Sequence, residues 1–179
     1  MPAHKTSDGF SVIELVIVIV VIGIITGVAM ARALRSDTYN PALARDQIIA
    51  MSRSAQQKSI GRSDVVLQLQ PTGSALAINI LDSTGLVQSA SPALANVGLR
   101  GDINVLGSCS VVAGGADITQ GNPFILRYDS LGDLLEGGPA NAVAAVSKGA
   151  RACINGDPAL SVCWSAAGFA YAGDCVDVD

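Results

Sequence analysis

The sequence has few of the residues on which most enzyme active sites depend. Among its 179 residues there is one histidine, His4, and aromatic side chains make up only 4%. Any mechanism that needs an imidazole base within residues 10–179 is therefore excluded. Charged residues are also scarce, at 15%, while half of the chain is hydrophobic. A disordered chain combines low hydrophobicity with high charge, so this class is excluded as well.

The sequence also lacks the short motifs that usually carry catalysis or metal binding. It contains no G-x-S-x-G, H-E-x-x-H, C-x-x-C or G-K-[S/T] motif. Asp129 and Asp133 could pose as a calcium site, but without a D-x-D-x-D-G loop they are better explained as solvated acids of a turn. The cysteines lack paired zinc spacing, and no histidine accompanies them. We therefore predict a protein that is not an enzyme, with no catalytic residue, no metal site and no cofactor.

Charge is divided unevenly along the chain. Residues 10–61 carry five Lys or Arg against three acids, whereas residues 62–179 carry five against eleven. Between Gly168 and Asp179 there are three Asp and no Lys or Arg. A surface that captures nucleic acid needs clustered basic residues with stacking side chains. We therefore predict no nucleic-acid partner.

The hydrophobic residues are concentrated near the N-terminus. Residues 15–31 carry no charge, and residues 10–31 form a run of twenty-two interrupted only by Glu14. As a helix this run would span roughly 33 Å, which matches a hydrocarbon core of about 30 Å. A secretory signal peptide fits less well, because no small-residue cleavage site follows the run. The pattern predicts a membrane-spanning helix.

The start of this run, GFSVIELVIVIVVIGII, resembles the N-terminus of type IV prepilins and type II secretion pseudopilins. In that family a polar leader ends in glycine, phenylalanine follows, and glutamate lies four residues further on; here these are Gly9, Phe10 and Glu14. The resemblance implies that a prepilin peptidase cuts after Gly9 and that the new amine of Phe10 is N-methylated. It also implies that Glu14 neutralises the Phe10 amine of a neighbouring subunit and so sets the register of assembly.

Two further features of the run bear on helix packing. Gly23 and Gly27 form a G-x-x-x-G pattern, which permits close approach of neighbouring helices. Many family members carry a proline where Ala31 stands, whereas here the first proline after the run is Pro41. Because proline disfavours helical geometry in the residue before it, we expect a kink or short break over residues 37–40.

The rest of the chain changes from a helical to a β-like pattern. Within residues 41–60, one helix face carries Ala44, Ile48, Met51 and Ala55, and Gly61 ends the helix. Beyond Arg62, residues 84–98 and 137–149 are rich in Gly, Ala and Ser and are predicted to be loops. The predicted strands are 64–70, 75–81, 103–106, 109–113, 124–128, 151–154, 160–164 and 169–172.

These patterns predict an α+β fold in which a long N-terminal, membrane-spanning helix packs on a C-terminal antiparallel β-sheet head, as in pilins. Residues 1–9 are the leader and residues 10–61 the long helix. Within that helix, residues 10–31 form the membrane or filament core and residues 41–60 are amphipathic. Residues 62–179 are the β-rich head. The run 124–132 and the segment S-A-A-G-F-A-Y resemble heads of minor pilins close to the H pseudopilin and the mannose-sensitive haemagglutinin pilus.

Four cysteines in an exported head predict two disulfides: Cys109, Cys153, Cys163 and Cys175. Analogy with the C-terminal loop of pilins favours Cys163–Cys175, which leaves Cys109–Cys153. Strand register gives a competing answer. If Ser165 and Gly168 close a turn, Cys175 lies about 17 Å beyond the residue opposite Cys163, too far for a bridge. The analogy then requires the chain to curl back after Tyr171; otherwise Cys153 pairs with Cys175, and Cys109 with Cys163.

The resemblance implies a structural minor subunit of a type IV pilus, which is assembled into a filament or initiates one. Its partners would be other pilin or pseudopilin subunits, the prepilin peptidase and the inner membrane. The implied location is single-pass in the inner membrane with a periplasmic head, and in the pilus or periplasmic pseudopilus after assembly. The alternative is a minor pseudopilin of a type II secretion system. A DNA-capturing pilin and a membrane-anchored exported enzyme are less favoured.

Overall fold

The computed structural model describes residues 11–33, 40–94, 98–109, 115–155 and 157–176. The chain divides into two compact units, Met1–Asp37 and Thr38–Asp179. The first contains helix α1 (Val12–Ala33), and the second begins its described part with helix α2 (Asn40–Ser59). Of the kink predicted over residues 37–40, residues 37–39 lie outside the described residues.

Eleven strands follow α2 in the described part of the second unit. In chain order they are β1 (Val66–Thr72), β2 (Ala75–Asp82), β3 (Gly85–Ala90), β4 (Leu99–Ile103), β5 (Ala116–Asp117), β6 (Phe124–Tyr128), β7 (Leu134–Pro139), β8 (Ala144–Ala145), β9 (Ala150–Ile154), β10 (Val162–Trp164) and β11 (Ala170–Ala172). A 3-10 turn, Pro158–Leu160, precedes β10. The fold is α+β, as predicted.

The strands form two antiparallel sheets rather than one. The first sheet has the order β3-β2-β1-β6-β7-β8, and the second has the order β11-β10-β9-β4-β5. Helix α2 packs against β1, β2 and β6 of the first sheet and against β10 and β11 of the second. The two sheets meet where the Phe124 and Trp164 rings lie 6.3 Å apart. A Cβ at Gly101 of β4 would collide with the Phe124 ring, so glycine is needed for this close approach.

The core is built from alternating residues of the strands and from one face of α2. In β2, Leu76, Ile78 and Ile80 are buried while the residues between them are partly exposed. This alternation is expected of a sheet with one face on the core. The predicted face of α2 is confirmed, because four of its residues are buried: Ala44, Ile48, Met51 and Ala55.

Several strand predictions are confirmed and others are wrong. The prediction 124–128 coincides with β6, and the first hairpin forms, with pairing that continues to Thr72 and Ala75 and leaves a two-residue turn. The predicted loop 84–98 contains β3, whose pairing with β2 overrides a composition poor in strand formers. The predicted loop 137–149 contains the end of β7 and β8. There Gly137 reflects close packing, because a Cβ would meet the Leu126 side chain.

Two weaker predictions also need correction. The strand predicted over 103–106 lies earlier, because β4 ends at Ile103. Of the strand predicted over 109–113, Cys109 lies outside any strand and residues 110–113 lie outside the described residues. Asn104 has a φ of 59°, which is incompatible with an extended strand and ends β4.

Candidate functional site

Helix α1 begins at a serine cap, Ser11, which is the second residue after the predicted cleavage point. The Ser11 hydroxyl oxygen accepts from the amide of Ile13 at 3.3 Å. The Ser11 carbonyl accepts from the amides of Glu14 at 3.0 Å and Leu15 at 3.2 Å. Serine is among the preferred N-cap residues because its side chain satisfies an amide that has no partner inside the helix. Gly9 and Phe10 themselves lie outside the described residues.

Glu14 occupies the first turn of α1 and is exposed in the single chain. A carboxylate in this position is favoured by the positive end of the helix dipole. Ser11 and Glu14 have the Ser-x-x-Glu spacing of a capping box, although the Ser11 hydroxyl accepts from the amide of Ile13 rather than from that of Glu14. Sequence reasoning missed Ser11, although this spacing was a signal that could have found it.

Apart from Glu14, the described large side chains of α1 are apolar, and they cover the whole circumference of the helix. The large side chains from Val12 to Ile25 are 45–80% exposed, and they point in every direction around the axis. Thr26 does not interrupt this surface, because its hydroxyl donates to the Ile22 carbonyl at 2.6 Å. A Cβ at Gly23 would meet nothing within 4 Å, and Gly27 follows one turn later in the same helix.

Among the residues that the structure describes, no helix combines the length and the apolar character needed to cross a membrane.

Residues 4–30 match a family model described as the prokaryotic N-terminal methylation motif. The chain carries a prepilin-type methylation motif. The matched range includes Gly9, Phe10 and Glu14, together with Gly23 and Gly27. The motif supports membership of the type IV pilin and pseudopilin family, and the α+β architecture is consistent with a pilin-like fold. Comparison with curated proteins and with solved structures found no match.

The outer face of the second sheet in this pilin-like head holds all four cysteines. Cys109 is bonded to Cys153 with their Cα atoms 5.7 Å apart, and Cys163 to Cys175 with theirs 5.3 Å apart. This is the pairing that the analogy with pilins favours. The competing pairs of Cys153 with Cys175 and of Cys109 with Cys163 are not formed.

The register argument behind the competing pairing was wrong by one residue. Cys163 pairs with Tyr171, whereas a turn closed by Ser165 and Gly168 would place Ala170 opposite Cys163. The turn is one residue longer than expected, because the amide of Ser165 donates to the Phe169 carbonyl at 3.0 Å. The chain then curls back after Tyr171, as the analogy required. Gly173 permits this with a φ of 105°, a conformation that other residues rarely adopt.

Two segments, residues 107–109 and 173–176, cover this outer face, and we call them together the flap. The Gly107 amide donates to the Cys175 carbonyl at 2.7 Å, and the Cys175 amide donates to the Gly107 carbonyl at 3.2 Å. Each segment carries one cysteine that is bonded to the sheet beneath. The flap is therefore held by two hydrogen bonds within it and by two covalent bonds to the sheet.

Arg151 lies beneath the flap with a side chain that is only 2% exposed. Its guanidinium donates to the carbonyls of Ser108 at 2.8 Å and Gly107 at 3.3 Å, and to the Asp102 carboxylate at 3.2 Å. Burial raises the pKa of Asp102, while the hydrogen bond and charge of Arg151 oppose this shift. Nothing in the sequence pattern marked Arg151, because its partners are 43 to 49 residues away along the chain.

Asp129 and Asp133 lie in one turn, as the sequence predicts. The Asp129 carboxylate accepts from the amides of Leu131 at 2.8 Å and Asp133 at 3.0 Å, as in an Asx-type turn. Throughout the described ranges, His, Cys, Asp and Glu side chains do not gather in a group of three or more that could hold a metal ion.

Proposed function

We propose that this protein is a structural minor subunit of a type IV pilus, assembled into a filament or initiating one through its N-terminal helix. The observation that carries the proposal is the methylation motif at residues 4–30, which includes most of the apolar helix α1. A helix with apolar side chains on every side favours a lipid or protein environment over water. In this proposal residues 1–9 are the leader, residues 10–31 are the membrane and filament core, and the β-rich head starts at residue 62.

The first turn of α1 gives a physical reason for a partner carboxylate. Cleavage after Gly9 would leave a positively charged amine on Phe10, next to the Ser11 cap. The N-terminus of a helix carries partial positive charge, so an ammonium group there is disfavoured. A neighbouring subunit's Glu14 can neutralise the amine, and a charge pair in a low-dielectric setting requires good geometry. The pair would therefore fix the register between adjacent helices.

Processing is tested by intact-mass analysis of the protein from native membranes. We expect loss of residues 1–9 and the addition of one methyl group at Phe10. A Gly9→Val variant serves as the control and should retain Met1. If the wild-type protein also keeps Met1, or if its N-terminus lies beyond Ala31, the proposal fails.

The role of Glu14 is tested with Glu14→Val and a matched control, Thr26→Val, which also replaces a polar side chain of α1 by valine. We expect both variants to be cleaved and inserted, since neither makes the helix less apolar. Only Glu14→Val should be depleted from sheared filaments, by about tenfold or more, because loss of one partner of a buried charge pair costs about 3–5 kcal/mol. Equal incorporation of the two variants would remove the proposed role.

Cell fractionation distinguishes the proposed pilus subunit from the alternative, a pseudopilin of a type II secretion system. We expect the wild-type protein in sheared surface filaments. Recovery only with the proteins of a periplasmic pseudopilus would replace the pilus by the type II secretion alternative and would leave the assembly mechanism unchanged.

A further inference from the structure

The four cysteines lie close enough together for more than one pairing. Cys163 is directly opposite Arg151 in the β9–β10 register, so Cys153 is a diagonal neighbour of Cys163 on the same sheet face. Their partners, Cys109 and Cys175, lie in the two segments of the flap, which are joined by two hydrogen bonds between Gly107 and Cys175.

Both flap sulfurs lie over the same strand. The Sγ of Cys109 is 4.0 Å from the Ala152 carbonyl, and the Sγ of Cys175 is 4.0 Å from the Ala150 carbonyl. These two carbonyls belong to β9 and flank Arg151. Proximity to the sheet therefore does not by itself decide whether Cys109 bonds to Cys153 or to Cys163.

The contacts of Arg151 distinguish the two possible partners of Cys109. Its guanidinium holds the carbonyls of Gly107 and Ser108, the two residues that precede Cys109. Asp102, opposite Arg151 in the β4–β9 register, accepts from the same guanidinium. These contacts use backbone carbonyls and a carboxylate, so they can form before any sulfur is oxidised. A planar guanidinium fixes the direction of its partners more strictly than an ammonium group.

We propose that Arg151 is a positioning residue that directs Cys109 to Cys153 during oxidative folding and thereby leaves Cys163 for Cys175. Asp102 holds Arg151 in place for this role. In each step two cysteine thiols form one disulfide, and the two electrons and two protons pass to an oxidised dithiol or glutathione disulfide, which is reduced. The proposal is independent of the pilus assignment, since it concerns the head alone.

The test is refolding of the reduced, denatured full-length chain in detergent micelles with a glutathione redox buffer. Free thiols are alkylated at intervals, and the chain is cut without reduction by an endoproteinase that cleaves before Asp. This places every cysteine in a separate peptide, namely 102–116, 133–156, 157–173 and 174–176. Trypsin would not suffice, because residues 152–179 contain three cysteines and no Lys or Arg.

Arg151→Met is compared with Arg100→Met, a matched control on the same sheet. Arg100 also donates to a backbone carbonyl, that of Gly115, but it is 42% exposed and faces Asp117. We expect native pairs in the wild type and in Arg100→Met. In Arg151→Met the ratio of Cys109–Cys163 and Cys153–Cys175 peptides to native peptides should rise about tenfold or more, because charge-assisted hydrogen bonds are lost. Asp102→Asn should shift the ratio in the same direction by less.

The pairing pattern distinguishes guidance from stability. If Arg151→Met regenerates only the native pairs, however slowly or with however low a stability, the proposal is overturned. If Arg151→Met shows all three possible connectivities in similar amounts, the fold itself is lost and Asp102→Asn decides. Native pairing alone in Asp102→Asn would then overturn the proposal, and enrichment of the competing pairs would support it.

Discussion

The two sheets of the head reach stability by different means. The four longest strands, β1, β2, β3 and β7, belong to the first sheet, which contains no cysteine. None of the second-sheet strands exceeds five residues, yet β9 is buried along its whole length. The first sheet can therefore rely on one apolar face, whereas the second also has an outer face that the flap covers. Short strands buried on both sides need the disulfides and the Arg151–Asp102 pair.

Folding shifts the pKa in opposite directions for one carboxylate of the first sheet, Asp82, and one of the second sheet, Asp102. Asp82 accepts from the backbone amide and hydroxyl of Thr84 in the turn between β2 and β3, and these hydrogen bonds lower its pKa. Asp102 lies under the flap, where burial raises its pKa. A turn at the surface thus favours the charged form, while the covered face disfavours it.

We expect the largest loss of stability in the head from removal of the Cys109–Cys153 bond, which belongs to the second sheet. The bond closes a loop with a sequence separation of 44 residues. The chain-entropy model gives a loss of about 4 kcal/mol for the double variant Cys109→Ser/Cys153→Ser. Cys163→Ser/Cys175→Ser, with a separation of 12, should lose about 3 kcal/mol. Denaturant unfolding of each variant measures both losses, and no loss in either would contradict the dependence of the second sheet on its bridges.

We expect a smaller loss of stability from truncating a buried side chain on the apolar face of the first sheet. Leu126 of β6 is fully buried, and Leu126→Ala should lower the free energy of unfolding by about 3 kcal/mol through lost burial and a cavity. Ile125→Ala is the matched control, because Ile125 is its neighbour on the opposite, partly exposed face. We expect about 1 kcal/mol for the control. Similar losses for the two variants would show that the alternation does not carry the stability of this sheet.

The smallest effect concerns the two carboxylates and is seen through pH. Because folding lowers the pKa of Asp82 below 3.8, its stabilisation is present above that pH and is lost as the pH falls through the folded value. The stability advantage of the wild type over Asp82→Asn should therefore shrink towards pH 3. Folding raises the pKa of Asp102. The free energy of unfolding of the wild type should therefore fall relative to that of Asp102→Asn as the pH rises above 3.8. Unfolding curves between pH 3 and pH 7 measure both trends. The comparison would be contradicted if the stability difference between wild type and variant changed with pH in the same way for Asp82→Asn and Asp102→Asn.

Local signals made much of this molecule predictable. The methylation motif is contiguous, so it could be recognised from sequence alone, and the family model matches it at residues 4–30. The face of α2 and the strand β6 followed from periodicity. Strand β3 was missed because its stability depends on pairing with β2 rather than on its own composition. Arg151 was missed because its role depends on the β4–β9 register and on the flap, which bring together residues far apart in the chain.

The Cys109–Cys153 bond also determines how the head would respond to a pulling force. A tensile load applied between α2 and the end of β11 passes through the covalent bond and bypasses the loop that it closes. The 44-residue separation corresponds to on the order of 150 Å of extended chain that such a load cannot draw out. Strands β5 to β8 lie within that loop, so the load would act on α2, on the strands that precede Cys109 and on the segment that follows Cys153. The head is therefore mechanically divided into a shielded loop and extensible segments on either side of it.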